Sequence, residues 1–322
     1  MEYDEGGHCP WNGPGKGDLM LDLKGLDTFV WVARLGGFRA AAERLNTTQP
    51  AISARIAQLE AELGVKLFDR ENRRAVLTPK GLEALDYAER ILALKTELYQ
   101  RVSDKKAIKG IIRLGVAETI VHTWLSRLVE RLHFLHPGIT LEIEVDISVN
   151  LRERLVAHEL DIAFLMGPVN QPRIHNVALC SYPVAWVASP TLPLVAESGP
   201  LRVEALARWP IITFSRLTAP HIAIRELFAG RGLGNVRIYG NSSLSTVIRM
   251  ALDGIGIAGI PRVVIGRELA EGRLRPLDVE AGLPNLNFTA SYAAKPDSYM
   301  AAIVAELALE AARNFDAAKH KE

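Results

Sequence analysis
Apolar positions change their spacing along this chain, and the change divides it into a helical N-terminal part and an alternating C-terminal part. The densest helical signal is FRAAAERLNTTQPAISARIAQLEAEL, from Phe38 to Leu63. Phe38, Ala41, Ala42 and Leu45 recur at helical spacing and Asn46-Thr47-Thr48 interrupts. Ile52, Ile56, Leu59 and Leu63 then resume at steps of four, three and four. Thr48 is placed to cap the second helix by accepting a backbone N–H one turn on. Pro50 falls in the first turn, where a missing N–H costs nothing. Opposite the stripe lie Pro50, Ser53, Ala54 and Ala57, with Gln49 at the edge. That face is too polar for a core and too uncharged for an ordinary solvated surface. Two short helices about a tight turn, the second with small polar residues near its start, predict a helix-turn-helix; a plain αα-hairpin is the bland alternative.

Upstream, residues 1–19 are rich in Gly and lack apolar periodicity, which predicts a disordered extension. Leu23, Leu26, Phe29, Val30 and Ala33 mark a first helix, ended by Gly36-Gly37. Downstream, Gly64 stops the helix and VKLFDRENRRAVLTPKG follows. Its apolar Val65, Leu67 and Phe68, polar tip at Glu71-Asn72-Arg73-Arg74 and returning Ala75-Val76-Leu77 have the pattern of a wing that offers Arg73 and Arg74 to phosphates. Thr78 and Pro79 then open a helix running to about Asp104. At 1.5 Å per residue its ~26 residues span about 40 Å. Ala84, Tyr87, Ile91, Leu94 and Leu98 form a heptad seam, widened by Leu85, Ala88 and Leu92. A twin helix is the simplest cover for such a seam, so dimerisation is expected here. Lys105, Lys106 and Lys109 mark a charged linker ending at Gly110.

From there strands and helices alternate. Strands are expected at 111–116, 140–145, 161–165, 182–188, 211–214, 236–239, 255–260 and 286–294. Helices are expected at 119–136, 148–158, 222–229, 243–252 and 299–318. This alternation gives α/β units with mainly parallel sheets. Three helices begin with hydroxyl or amide residues directly after strands: at Thr119, at Ser148 with Asn150, and at Asn241 with Ser242 and Ser243. Helix N-termini and the carboxyl ends of strands suit a bound carboxylate, although each residue could simply cap its own helix. Phe214, Ser215 and His221 are candidates for the opposite wall, and His122 reads as a surface histidine. Gly254-Ile255-Gly256-Ile257-Ala258-Gly259 matches GxGxxG by letter. A helix precedes it and a strand follows, the reverse of a dinucleotide fingerprint.

Composition narrows the class only slightly. The 322 residues leave room for two or three domains, and 48% hydrophobic with 23% charged is ordinary for a globular chain. The net charge of +1 conceals a basic segment, since residues 21–80 carry 10 Lys and Arg against 7 Asp and Glu. Cys9 and Cys180, far apart, form neither a disulfide framework nor a zinc spacing, which favours a reducing cytoplasm and a structural role for Cys180. No apolar run is long enough for a bilayer, no secretion signal is evident, and the eight histidines show no metal-ligand spacing. No GxSxG elbow or P-loop appears, so neither catalysis, a cofactor nor a metal is expected.

Residues 23–105 resemble the N-terminal part of a LysR-type transcriptional regulator. The resemblance rests on FRAAAERLNTTQPAISARIAQLEAELGVKLFDR, the RRAVLTPKG wing and the helix after it. It implies a winged helix-turn-helix at 20–80, a linker and dimerisation helix at 81–109 and an effector-binding domain at 110–322. HELDIAFL and ALDGIGIAGIP are similar to segments of that domain, whose implied fold is that of periplasmic type 2 solute-binding proteins. One subdomain would be built from 110–185 and 284–322, the other from 186–283. The fold class is thus α plus α/β. The implied DNA-facing set is Thr48, Gln49, Pro50 and Ser53, with Arg73 and Arg74 on the wing. Where many members carry a basic residue after the position of Ser53, this chain has Ala54 and then Arg55, so a contact there is either absent or supplied by Arg55, which joins the set, and operator preference does not carry over. The implied pocket includes Thr119, Ile120 and Ser148, facing Phe214, Ser215, His221, Asn241 and Ser243. The implied partners are promoter DNA, a small organic acid as effector, further copies of the chain in a homotetramer, and RNA polymerase. A solute-binding or enzymatic α/β protein with an N-terminal oligomerisation module is the competing reading.

Gln makes paired hydrogen bonds to adenine in the major groove, whereas wing arginines neutralise phosphate without reading sequence. Gln49→Ala should therefore change which operator is preferred. Arg74→Ala should weaken binding to all DNA alike and flatten its salt dependence, both measurable by mobility shift across a salt series.

Overall fold
The computed structural model describes residues 22–69, 75–102, 108–194, 199–293 and 298–319. Among these the chain forms two compact units, one ending at Val102 and the other running from Ile108 onward. The extension expected at 1–19 and the wing tip with Arg73 and Arg74 lie outside the described residues.

In the first unit α1 (Leu23–Leu35), α2 (Phe38–Arg44) and α3 (Gln49–Leu63) surround one core, followed by β1 (Phe68–Asp69), β2 (Val76–Leu77) and α4 (Pro79–Val102). Asp22 caps α1 by accepting from the N–H groups of Lys24 and Gly25, and Gly36 ends it in the left-handed conformation. The core gathers Phe29, Val30, Trp31, Ile52, Ile56 and Leu59 with Leu67 and Phe68 at the start of the ribbon. Phe29 and Phe38 both meet Phe68 edge-on, with ring centroids 5.5 and 5.6 Å apart. The β1–β2 ribbon pairs Phe68 with Leu77 and Asp69 with Val76.

Helix α4 divides its apolar side. Ala88 and Leu92, expected only to widen the seam, are the residues buried in the core, with Ala84, Leu85 and Ile91 partly buried around them. Tyr87, Leu94 and Leu98 are each more than half exposed. An Arg34–Glu89 ion pair at 3.0 Å, largely shielded from solvent, joins α1 to α4.

The second unit contains two mixed sheets. In chain order its elements are β3 (Gly110–Val116), α5 (Glu118–Val121), α6 (Leu125–Leu135), β4 (Ile139–Val145), α7 (Ser148–Val156), β5 (Ile162–Met166), β6 (Ile174–Tyr182) and β7 (Val184–Ala188). There follow α8 (Val203–Leu206), β8 (Ile211–Phe214), α9 (Ala219–Ala229), β9 (Ile238–Asn241), α10 (Leu244–Leu252) and β10 (Ile257–Pro261). Last come α11 (Gly266–Ala270), β11 (Arg275–Pro276), β12 (Leu286–Ala293) and α12 (Tyr299–Lys319). The first sheet has the order β4-β3-β5-β12-β6 and the second β11-β7-β10-β8-β9. The chain passes to the second sheet at Pro183 and returns before β12, so each lobe of the unit has its own sheet and core.

Three expectations need correction. The sheets are not mainly parallel, because β12 runs antiparallel to both β5 and β6, and β7 runs antiparallel to both β10 and β11. The single helix over 119–136 is two, parted at His122–Trp124 where Trp124 turns into the core and stacks near Phe164. The strand expected at 182–188 is the meeting of β6 and β7, split by Pro183, which lacks the N–H that a continuous ladder requires. In the GxGxxG string Gly254 takes a left-handed φ of +70°, and Gly256 serves packing: a Cβ on it would come within 2.1 Å of the Pro210 carbonyl oxygen, beside the parallel β8–β10 pairing.

Gly81 is similarly constrained, since a Cβ there would lie 2.1 Å from the backbone oxygen of Leu67. Thr78 fixes this approach by donating its hydroxyl to the Lys66 carbonyl at 2.7 Å and accepting from Gly81 N–H at 2.9 Å. In an unconstrained helix, Gly→Ala is stabilising by close to 1 kcal/mol. Gly81→Ala is expected to have the opposite sign, destabilising the first unit by about 1–3 kcal/mol in denaturant unfolding.

Candidate functional site
Helix α3 begins as its sequence dictates. The Thr48 hydroxyl accepts from Ala51 N–H at 3.4 Å and Pro50 occupies the first turn. Ile52, Ile56 and Leu59 are buried, while Gln49, Pro50, Ser53, Ala54 and Ala57 are exposed along the other side. Arg55 is half-buried between the two faces. Sequence reasoning missed Glu60, a carboxylate buried at the margin of the stripe. It accepts from Leu67 N–H at 2.9 Å, from Phe68 N–H and from Lys66 Nζ at 2.7 Å, so it ties α3 to the start of the ribbon. Burial alone would push its carboxyl up. Lys66 and the two N–H groups outweigh that and hold it below the usual carboxylate range.

In the second unit a cleft of about 430 Å³ opens between the two lobes. Ala117, Glu118, Thr119, Asp146, Ile147, Ser148, Met166, Leu286 and Phe288 line it from the first lobe. Phe214, Thr218, Pro220, Ser242 and Leu244 line it from the second. Thr119, Ser148 and Phe214 are thus brought together, and the Ser148 hydroxyl accepts from Met166 N–H at 2.9 Å. The remaining pocket candidates lie elsewhere. Ile120 is fully buried in the first lobe's core. His221, also buried, bonds through Nδ1 to the Phe214 carbonyl at 3.0 Å and so braces the wall from behind. Ser215 is half-buried and is not among the lining residues.

Asn241 and Ser243 act as local caps, because Asn241 Oδ1 accepts from Ser243 N–H at 2.8 Å and Ser243 Oγ accepts from Thr246 N–H. The N-terminus of α10 holds a carboxylate, but it is the chain's own. Glu118 accepts from Leu244 N–H at 2.5 Å, Ser245 N–H at 3.1 Å and Ser245 Oγ at 2.9 Å. His122, read as a surface residue, is half-exposed at the same mouth, 3.4 Å from Glu118 and 3.2 Å from Ser245 Oγ. Burial pushes the Glu118 carboxyl up, yet the N–H groups of Leu244 and Ser245 with the Ser245 hydroxyl and His122 leave it below its ordinary value. Asp146 plays a lesser version of this part at α7, accepting from Ile147 N–H and Asn150 Nδ2. The signal available in the sequence was an acid directly before Thr119 and one helical turn before His122.

Cys180 lies on β6 opposite Phe288, beside Tyr182 and Trp124. Burial pushes its thiol up to about 11, a rise that the neighbouring Tyr182 and Trp124 offset only in part. Only the thiolate reacts, so at pH 7.5 Cys180 should alkylate with iodoacetamide about a hundredfold more slowly than free cysteine, as read by peptide mass mapping.

Two family models match this chain in succession. Residues 23–82 match the bacterial regulatory helix-turn-helix protein of the lysR family, and residues 105–313 match the LysR substrate binding domain. The HTH-type transcriptional regulator CzcR of Bacillus thuringiensis (strain Al Hakam) is 28% identical over 250 residues, covering 78% of this chain and 80% of the relative. YusT of Bacillus subtilis (strain 168), an uncharacterized HTH-type transcriptional regulator, is 31% identical over 250 residues, covering 78% and 82%. Among solved structures, a full-length OxyR variant of Pseudomonas aeruginosa has a TM-score of 0.60 at 22% identity, with 91% of this chain and 95% of that one covered. Full-length LysG of Corynebacterium glutamicum, with its effector Arg bound, has a TM-score of 0.58 at 19% identity, with 91% and 99% covered. These two likenesses carry the fold, and the sequence matches carry the membership. The chain belongs to the LysR family of bacterial transcriptional regulators: a DNA-binding protein with an effector-binding domain, and not an enzyme.

Proposed function
We propose that this regulator acts in the cytoplasm as a homotetramer built from two dimers, and that a small organic acid in the cleft changes its hold on promoter DNA. The observation that carries the DNA half of this reading is the bare face of α3: Gln49, Pro50, Ser53 and Ala57 are exposed while the stripe behind them is buried. In this reading Gln49 and Ser53 meet base edges, Thr48 and Arg55 flank them, and Arg73 and Arg74 meet the backbone. RNA polymerase would be reached at the promoter so bound. The exposed Tyr87, Leu94 and Leu98 on α4 support a partner helix there, because three large apolar side chains on one stripe gain by leaving water together.

An organic acid suits the cleft in its mix of apolar walls with hydroxyls from Thr119 and Ser148. That LysG was solved with Arg, itself a carboxylate, is consistent with this class of ligand. By linkage, the effector changes DNA affinity only as far as it prefers one arrangement of the domains over another. The test joins assembly to DNA binding. Leu94→Glu with Leu98→Glu should convert the oligomer to monomers in sedimentation velocity and weaken binding to the DNA flanking its own gene by at least about tenfold in a mobility shift. Unchanged assembly would refute α4 as the dimer seam, and absence of any retarded complex with the parent protein would refute the operator.

A further inference from the structure
The cleft already holds a carboxylate. Glu118 reaches from the first turn of α5, in the first lobe, to the first turn of α10, in the second, 126 residues further on. Its two oxygens accept from Leu244 N–H, Ser245 N–H and the Ser245 hydroxyl, with the Ser243 hydroxyl at 3.4 Å. These are the donors a helix of nine residues presents to an external anion. A second feature of the same cleft remains unsatisfied. Thr119 is only 4% exposed and lines the cleft, yet its hydroxyl has no hydrogen-bond partner among the described residues. A hydroxyl open to a cleft and without a protein partner is a place for a ligand atom.

We propose that Glu118 is a built-in competitor of the effector. Its carboxylate latches the two lobes together at α10, and the carboxylate of an acidic effector takes its place there while a second polar atom of that effector meets the Thr119 hydroxyl. This rests on the effector-regulated reading above and adds where the ligand's charge goes and what it displaces. Displacement accounts for coupling without a long pathway, because the group removed is itself a bond between the lobes. The resting latch also lowers the apparent affinity for the ligand, which scales with the fraction of molecules that are unlatched.

The test is chemical rescue of the full-length protein. E118A removes the competitor and leaves a carboxylate-sized space at α10; E118Q fills the space without the charge. Each is melted in chloride, formate and acetate at matched ionic strength. E118A should melt about 2–4 °C below the parent in chloride. Formate and acetate should restore most of that loss and bind E118A about tenfold more tightly than the parent. E118Q should be destabilised and should not be rescued. Equal response of the parent and E118A to formate, rescue of E118Q, or an E118A melting point that matches the parent in chloride would each overturn the proposal. If E118A does not fold, E118D still decides, since the shorter side chain reaches the α10 donors less well while leaving all of them to acetate, which should raise acetate affinity two- to fivefold, and no change refutes the latch. Operator binding by the parent is measured alongside. Its absence would count against the regulator reading, whereas the rescue arms judge the latch whether or not DNA binds.

Discussion

Helix α3 has to leave one side bare, and Ile52, Ile56 and Leu59 permit this by burying the other. A helix of fifteen residues is marginal by itself, so its position comes from what its stripe touches. Phe29 and Phe68 supply that contact, and the Glu60 carboxylate adds a directional one to the backbone of Leu67 and Phe68. Apolar packing fixes how deep the helix sits, while the charge-assisted hydrogen bonds fix where the ribbon begins relative to it. The exposed small residues are therefore held by a rigid support that contains none of them.

The second unit applies the same economy to charge. An anion-binding helix terminus left bare would attract any anion in the cell. Here the first lobe provides a carboxylate for α10, and Asp146 does so locally beside α7. Glu118 pays a desolvation cost that its donors more than offset, which is why its carboxyl lies below its ordinary value although burial alone would raise it. Thr119 lines the same cleft, and its hydroxyl bonds to no described residue.

Much of the first unit was legible because its determinants are local. Thr48, Pro50, Gly36 and Gly64 announce helix ends within a few residues, and the stripe on α3 is read from its own spacing. The division of α4 was not legible, because periodicity shows that a helix has an apolar side without showing how two neighbours share it. In the second unit β6 went unrecognised for a specific reason: its pairing with β12 slips between Phe288 and Thr289, leaving Leu179 as an extra residue that rephases the alternation. His221 looked like a ligand contact, but its partner is the Phe214 carbonyl. Glu118 was invisible as a cap because its donors lie more than a hundred positions away and belong to another lobe.

Strand β12 is laid between β5 and β6 only after the chain has completed an excursion through the whole second sheet. Everything that sheet needs lies between Val184 and Pro276, so it forms one continuous piece of sequence. The other sheet stays open, with β6 unattached to β5, until residues 286–293 have left the ribosome. Synthesis from the N-terminus therefore imposes an order on this unit: the lobe encoded in the middle closes first, and the lobe begun earlier waits for the end of the message.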